Sequence, residues 1–268
     1  MLLLLVTGPT GPALGQDTTL RVPGTGDSEE LLRAVAEAFK ATAPGIDVDV
    51  PDSVGSTGGI KALLAGKAEL ARVARPLRGE EKAQGLVEIV FAETPVVFAV
   101  NPAVTGVSGL SSAQALAVYA GKITDWSALG GPPGPIARVA REMPETGRAV
   151  LNETIPGFEA LAAEGQAVAY STPEAVDMVL RHPGTIGYFS LTAMSGTGLT
   201  PLALDGVPPT PEALANAPRA PRIRLSLVYR PPLAPAAERF LAFLQSHRGE
   251  ALLASHGCRP LPPAPAKP

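Results

Sequence analysis

The chain predicts an α/β fold whose ligand loops sit at the C-terminal ends of strands, and three observations predict it. Segments that alternate as half-buried strands are followed by amphipathic helices along most of the 268 residues. Three polar turns, each between a strand and a helix, suggest a small polar ligand held from several sides: Gly24-Thr25-Gly26-Asp27-Ser28, Gly55-Ser56-Thr57-Gly58-Gly59 and Arg141–Arg148. A continuous apolar run, Val87–Val100, is long for one strand and reads as a crossing between two lobes.

The elements follow in order. TLRV leads through the first turn to a helix over Glu29–Thr42, with Leu31, Leu32, Val35 and Phe39 on one side. In IDVDV, Ile46, Val48 and Val50 alternate, and the second turn then opens a helix over Ile60–Ala68. LARVARPL returns towards the first turn. A second α/β set begins with the helix SSAQALAVYAG, the turn GKITDWSALGG and the strand PIARVA, and continues to GTIGYFSL. Arg222–Arg230 reads as a strand returning to the first lobe, and AAERFLAFLQSHRGEALLASHG as a helix pair. The tail, 261–268, is Pro-rich and is expected to be disordered.

Composition narrows the function. Formal net charge is −3 and aromatic residues make up 4%, which argues against a nucleic-acid partner. Residues 1–15 read as a signal peptide or its remnant, with an apolar run and a small-x-small site at Ala13-Leu14-Gly15. The expectation is an exported, soluble, periplasmic protein, and the absence of a cysteine near the cleavage point speaks against a lipid anchor. Cys258 is the only cysteine, so no intramolecular disulfide forms. His182, His247 and His256 lack ligand spacing, and no nucleophile elbow, phosphate-binding P-loop or zincin motif is present. The chain therefore reads as a non-enzyme without metal or cofactor.

The turns admit two readings each. A helix opening at a glycine turn offers free N–H groups and the positive end of the helix dipole, which suits an anion. Equally, Ser28 can serve only as an N-cap, Gly55–Gly59 as a tight turn, and Arg141 as a strand-end charge. Arg72 and Arg75 read as lobe-surface or interlobe salt-bridge partners, Glu145 as either solvent-facing or in the cleft, and Trp126 and Tyr188 as core residues.

Taken together, GSTGGIKALLAGKAEL, RPLRGEE, VNP, LAVYAGKITDWSALGG, the strand ending in Arg141, GTIGYFS and GEALLASHGCRPL resemble the phosphate-binding periplasmic proteins of ABC importers. The resemblance runs from about residue 20 to 260 in the family's order. It implies a two-lobed periplasmic-binding-protein fold (venus flytrap, type II) with two crossing hinge strands. Lobe I would comprise 17–92 plus 222–260, and lobe II 93–221. It further implies capture of a small inorganic oxyanion, phosphate or related, by a monomer that delivers it to a membrane ABC permease. The alternative on the same scaffold is a ligand-presenting interaction protein for a sensor or envelope partner. Carried over residue by residue, Ser28 with its own and the next N–H (Glu29), Ser56, Thr57, Arg141, Glu145, Thr146 and Gly147 would contact the ligand. Two positions depart from the family: Ala74 stands where an Asp or Ser acceptor is usual, and Glu145 where a serine is expected.

Overall fold

The structure is a computed structural model that describes residues 18–162 and 165–262, so the expected leader and the last six residues lie outside it. The chain opens with β1 (Thr18–Arg21), α1 (Glu29–Lys40), β2 (Ile46–Asp49), α2 (Gly55–Leu64), β3 (Ala71–Val73) and α3 (Gly79–Ala83). Next come β4 (Val87–Val100), β5 (Gly109–Leu110), α4 (Ser112–Tyr119), β6 (Ala137–Arg141), α5 (Thr146–Thr154), β7 (Ala167–Ala169) and α6 (Thr172–Arg181). It closes with β8 (Thr185–Ser190), β9 (Thr200–Leu204), α7 (Pro211–Asn216), β10 (Arg222–Tyr229), α8 (Pro235–Leu244), α9 (His247–Ser255) and β11 (Arg259–Pro260).

β1 and β2 form a parallel pair, and the remaining strands form one sheet with the central order β3-β10-β4-β8-β6-β7. β4 is the axis of that sheet. Its first part, Val87 to Pro95, runs antiparallel to β10, and its last part, Val96 to Val100, runs antiparallel to β8. The change of partner falls at Pro95, which has no N–H to give to a ladder. The long apolar run is therefore one strand shared by two lobes. Near the changeover Glu93 is buried and accepts from Arg222 at 3.1 Å and from Arg259 at 2.8 Å, which ties β10 and β11 to β4.

Aromatic side chains fill both halves of the core. Phe39 of α1 meets Phe240 and Phe243 of α8 with ring centroids 5.4 and 5.5 Å apart. In the other half Phe98, Tyr119, Phe158 and Tyr188 pack mutually at 5.4 to 6.2 Å. Trp126 and Tyr188 are core residues, as the sequence reading had them, and the Trp126 indole also donates to Gly184 O at 3.0 Å.

One boundary departs from expectation. α2 begins at Gly55, five residues before the periodic apolar positions, so the glycine turn is itself the first turn of the helix. Gly55 enters it at φ +68°, a conformation that glycine adopts without strain. Gly59 then lies against the first turn so closely that a Cβ there would stand 2.7 Å from Pro23 O and 2.8 Å from Gly24 Cα.

Candidate functional site

A polar cleft of about 410 Å³ lies where the ends of β1, β2, β3 and β6 converge. One wall carries Thr25, Gly26 and Asp27 from the first turn, Ser56 and Thr57 from α2, and Arg75 and Arg78 after β3. The other carries Arg141 and Glu142 from the end of β6, Glu145 and Thr146 at the start of α5, and Tyr170 to Thr172 before and at the start of α6. A second pocket, about 320 Å³, opens beside Pro95–Val97 and Pro221 but is lined mainly by proline and aliphatic side chains. It offers little to a hydrophilic ligand.

On the first wall the start of α2 carries no side-chain cap: Val54 occupies the N-cap position and caps nothing. An uncapped start leaves first-turn N–H groups without intrahelical partners and places the positive end of the helix dipole at the cleft. Ser56 Oγ accepts from Ala74 N at 3.1 Å, so its own proton remains to donate. The position where an acceptor side chain was expected thus contributes its main-chain N–H, spent on Ser56. Arg75 is held by Glu81 at 2.7 Å and reaches Thr57 Oγ1 at 3.3 Å. Arg78 is exposed at the rim.

The first turn is held from behind by Arg72, and here the sequence reading needs correction. Arg72 was expected at a lobe surface or between lobes; it is fully buried within the first lobe. Its guanidinium donates to Thr25 O at 2.7 Å, to Pro51 O at 2.6 Å, to Val22 O and to Glu29 Oε2 at 3.1 Å. Burial pulls its pKa down to about 10, against the opposing pull of Glu29. Glu29, carried over as a ligand contact, is engaged with Arg72 and with Arg33 at 3.0 Å and does not line the cleft. Burial raises its pKa, and the two arginines work in the other direction.

Ser28 lies at the start of α1, 1% exposed; it makes no side-chain cap, among the described residues its hydroxyl has no hydrogen-bond partner, and it does not line the cleft. Its neighbours Thr25 and Asp27 do. Asp27 accepts from Thr25 Oγ1 at 2.8 Å and from Ser190 Oγ at 2.9 Å, a bond that ties the first turn to the end of β8. Gly26 makes that approach possible, since a Cβ there would come within 2.5 Å of Pro173 Cδ.

On the opposite wall Arg141 is 6% exposed and fixed by Ala169 O and Thr172 Oγ1, both at 3.2 Å, while its N–H donates to Tyr188 Oη at 3.0 Å. Among the described residues its Nη2 has no hydrogen-bond partner. Glu145 turns inward. Its carboxylate accepts from Gly147 N at 2.9 Å and from Arg148 N at 2.7 Å, and lies 3.7 Å from Arg141 Nη1. Burial holds its pKa above the ordinary value; Arg141 opposes that rise and Asp27 adds to it. The Gly147 N–H, expected to face a ligand, is thereby occupied by Glu145. Burial likewise raises Tyr188.

Of the eight residues carried over, Ser56, Thr57, Arg141, Glu145 and Thr146 line one cleft, whereas Ser28, Glu29 and Gly147 do not. Sequence reasoning passed over Thr25, Arg78, Tyr170 and Thr172. The RPLRGEE spacing held a signal for Arg78, whereas the others depend on how α6 meets the first turn. Among the described residues no group of three or more His, Cys, Asp or Glu could hold a metal ion.

The profile of the PBP superfamily domain matches residues 9–248. The chain belongs to this superfamily. It is 29% identical over 204 residues to the phosphate-binding protein PstS of Bacillus subtilis, a match covering 74% of this chain and 65% of that protein. The corresponding protein of Borreliella burgdorferi is 25% identical over 172 residues, 61% of each chain. The matched region thus spans less than two thirds of either relative. Among solved structures, a Clostridium perfringens protein described as a phosphate ABC transporter substrate-binding protein, with phosphate bound, is 27% identical with a TM-score of 0.79. That similarity covers 91% of this chain and 100% of that one. A phosphate transport receptor from Vibrio cholerae, 22% identical with a TM-score of 0.62, shares the fold. The fold is the two-lobed one of the PBP superfamily, with β4 and β10 as crossing strands.

Proposed function

We propose that this protein captures a small oxyanion, phosphate or a close relative, between its lobes and delivers it to an ABC importer from the periplasm. The observation that carries the reading is the convergence on one cleft of the uncapped start of α2, with Ser56 and Thr57, and of Arg75, Arg78 and Arg141. A desolvated tetrahedral anion needs many fixed donors, and a guanidinium supplies a planar fork suited to two oxygens. The bound phosphate of the Clostridium perfringens protein and the names of the PstS relatives support the same ligand class. No catalytic constellation accompanies these donors, so binding without chemistry is the function proposed. Lobe I then comprises 17–92 plus 222–260 and lobe II 93–221, the crossings falling in β4 and just before β10.

Ser28, Glu29 and Gly147 act at one remove in this reading. Glu29 holds Arg72, which holds the first turn; Ser28 is buried at the start of α1; and Gly147, the second residue of α5, gives its N–H to Glu145. Native mass spectrometry of the purified protein is the direct test. A co-purifying mass of phosphate or another oxyanion, lost in Arg141→Ala, is expected. A protein that carries no oxyanion and takes up none of phosphate, sulfate or arsenate at millimolar concentration would sink the proposal.

A further inference from the structure

We infer that Glu145 is a tethered anion seated in the second lobe's half of the oxyanion cleft, and that it sets how tightly the cleft holds a free oxyanion. The inference deepens the oxyanion reading above and rests on it. The two walls of the cleft are unequal. On the first, α2 starts with no side-chain cap. On the second, the two carboxylate oxygens of Glu145 take Gly147 N–H and Arg148 N–H at 2.9 and 2.7 Å, with Arg141 Nη1 at 3.7 Å. Besides the Thr146, Tyr170, Ser171 and Thr172 side chains, the donors at this wall are one guanidinium and, behind Glu145, two main-chain N–H groups at the start of the nine-residue α5. A carboxylate of the chain already engages all three.

An ordinary helix cap accounts poorly for this arrangement. Ser, Thr, Asp and Asn are the usual N-cap residues, and Glu is not among them. The Glu145 side chain is only 10% exposed. It also sits within the electrostatic reach of Asp27 from the opposite lobe. Burying a carboxylate near a second one is unfavourable unless the site gains from it. The other charged and titratable groups around it are Arg148 on its own helix, Tyr188 beneath it on β8, and Glu142, Arg75 and Arg78 lining the cleft. The Arg148 guanidinium is turned away, donating to Phe158 O and Leu161 O at 2.9 Å. Arg141 is thus the cation that Glu145 shares with any ligand.

A tethered group competes at an effective concentration of roughly millimolar or above. A free oxyanion must therefore displace Glu145 from the three donors or bind beside its charge, and either route weakens binding. Replacing Glu145 removes the competitor. Glu145→Gln keeps the shape and deletes the charge. Glu145→Gly frees both N–H groups, and glycine is tolerated at an N-cap.

The test is titration calorimetry of inorganic phosphate into the full chain at neutral pH, for wild type, Glu145→Gln and Glu145→Gly, with circular dichroism as a control of folding. The expected result is that both variants bind phosphate at least tenfold more tightly than wild type, with the glycine variant the tighter. Wild type binding phosphate as tightly as both variants, or more tightly, overturns the inference and leaves the oxyanion reading standing. Absence of phosphate binding in all three folded proteins overturns both. If the glycine variant fails to fold, the glutamine variant decides alone.

Discussion

Removing Arg72 should unfold the protein far more readily than its place in the three-residue strand β3 suggests. The side chain is completely buried and its guanidinium supports Thr25 O, Pro51 O, Val22 O and Glu29 at once. Truncation to alanine would leave the buried Glu29 carboxylate with Arg33 alone and take the guanidinium donor from three carbonyls. Breaking a buried ion pair costs about 3–5 kcal/mol. A chain of this size loses roughly 2 °C of melting temperature per kcal/mol, so Arg72→Ala should melt about 6–10 °C below wild type. The assay is differential scanning calorimetry, with Arg72→Lys and Glu29→Gln alongside. An ammonium cannot span three carbonyls and a carboxylate, so Arg72→Lys should fall between wild type and alanine. Glu29→Gln keeps the carbonyl bonds and should lose less than Arg72→Ala. An alanine variant melting within 2 °C of wild type would refute the idea that Arg72 clamps the first turn.

Two further outcomes follow from the cleft. Arg141→Ala removes the buried guanidinium lining the cleft; truncating one partner of a charge pair costs on the order of 2–5 kcal/mol, so if phosphate binds there its affinity measured by calorimetry should fall more than tenfold, and an unchanged affinity would exclude Arg141 from the site. Glu145 is held above its ordinary 4.5, first by burial; the folded state therefore favours its protonated form, a contribution to stability present below pH 4.5 and lost as pH rises through the folded pKa. Glu145→Gln lacks that loss, so denaturant melts should show the variant gaining on wild type as pH climbs from 4.5 towards neutrality, and a pH-independent gap between them would contradict the burial assigned to this carboxylate.

The fold was legible because its signals are local and repeated. Val87–Val100 is mostly apolar, interrupted by Glu88, Glu93 and Thr94, as suits a strand buried along most of its length, and β4 occupies it residue for residue. The helix pair at the end shows its buried stripe in Phe240, Leu241, Leu244 and Leu253, and both helices form. The start of α2 was placed late because Ser56, Thr57, Gly58 and Gly59 bear no apolar side chain, so periodicity first registers at Ile60. Nothing local could show that Gly59 is needed where the helix touches Pro23.

The site was less legible, because charge placement depends on pairs far apart in sequence. Arg72 and Arg75 stand three positions apart and read alike, yet Arg72 points into the first lobe towards Glu29, and Arg75 towards Glu81 at the cleft. Alternation along β3 does not decide between them; the carbonyls that collect around Arg72 do, and these come from the ends of β1 and β2. Glu145 shows the same limit. As a sequence letter it could face solvent or replace the missing acceptor at Ala74. Its placement depends on the turn of chain that brings Gly147 N and Arg148 N onto its oxygens, and on Arg141 one strand end away. That geometry weakens the acceptor idea. Of the roughly four acceptor sites of an ionised carboxylate, two N–H groups take two on Glu145 and the Arg141 guanidinium stands at 3.7 Å from a third. Asp27 on the first wall accepts one bond on each oxygen, from Thr25 and Ser190, with no ion-pair partner among the described residues, so it keeps more room than Glu145 to stand in for the acceptor missing at Ala74.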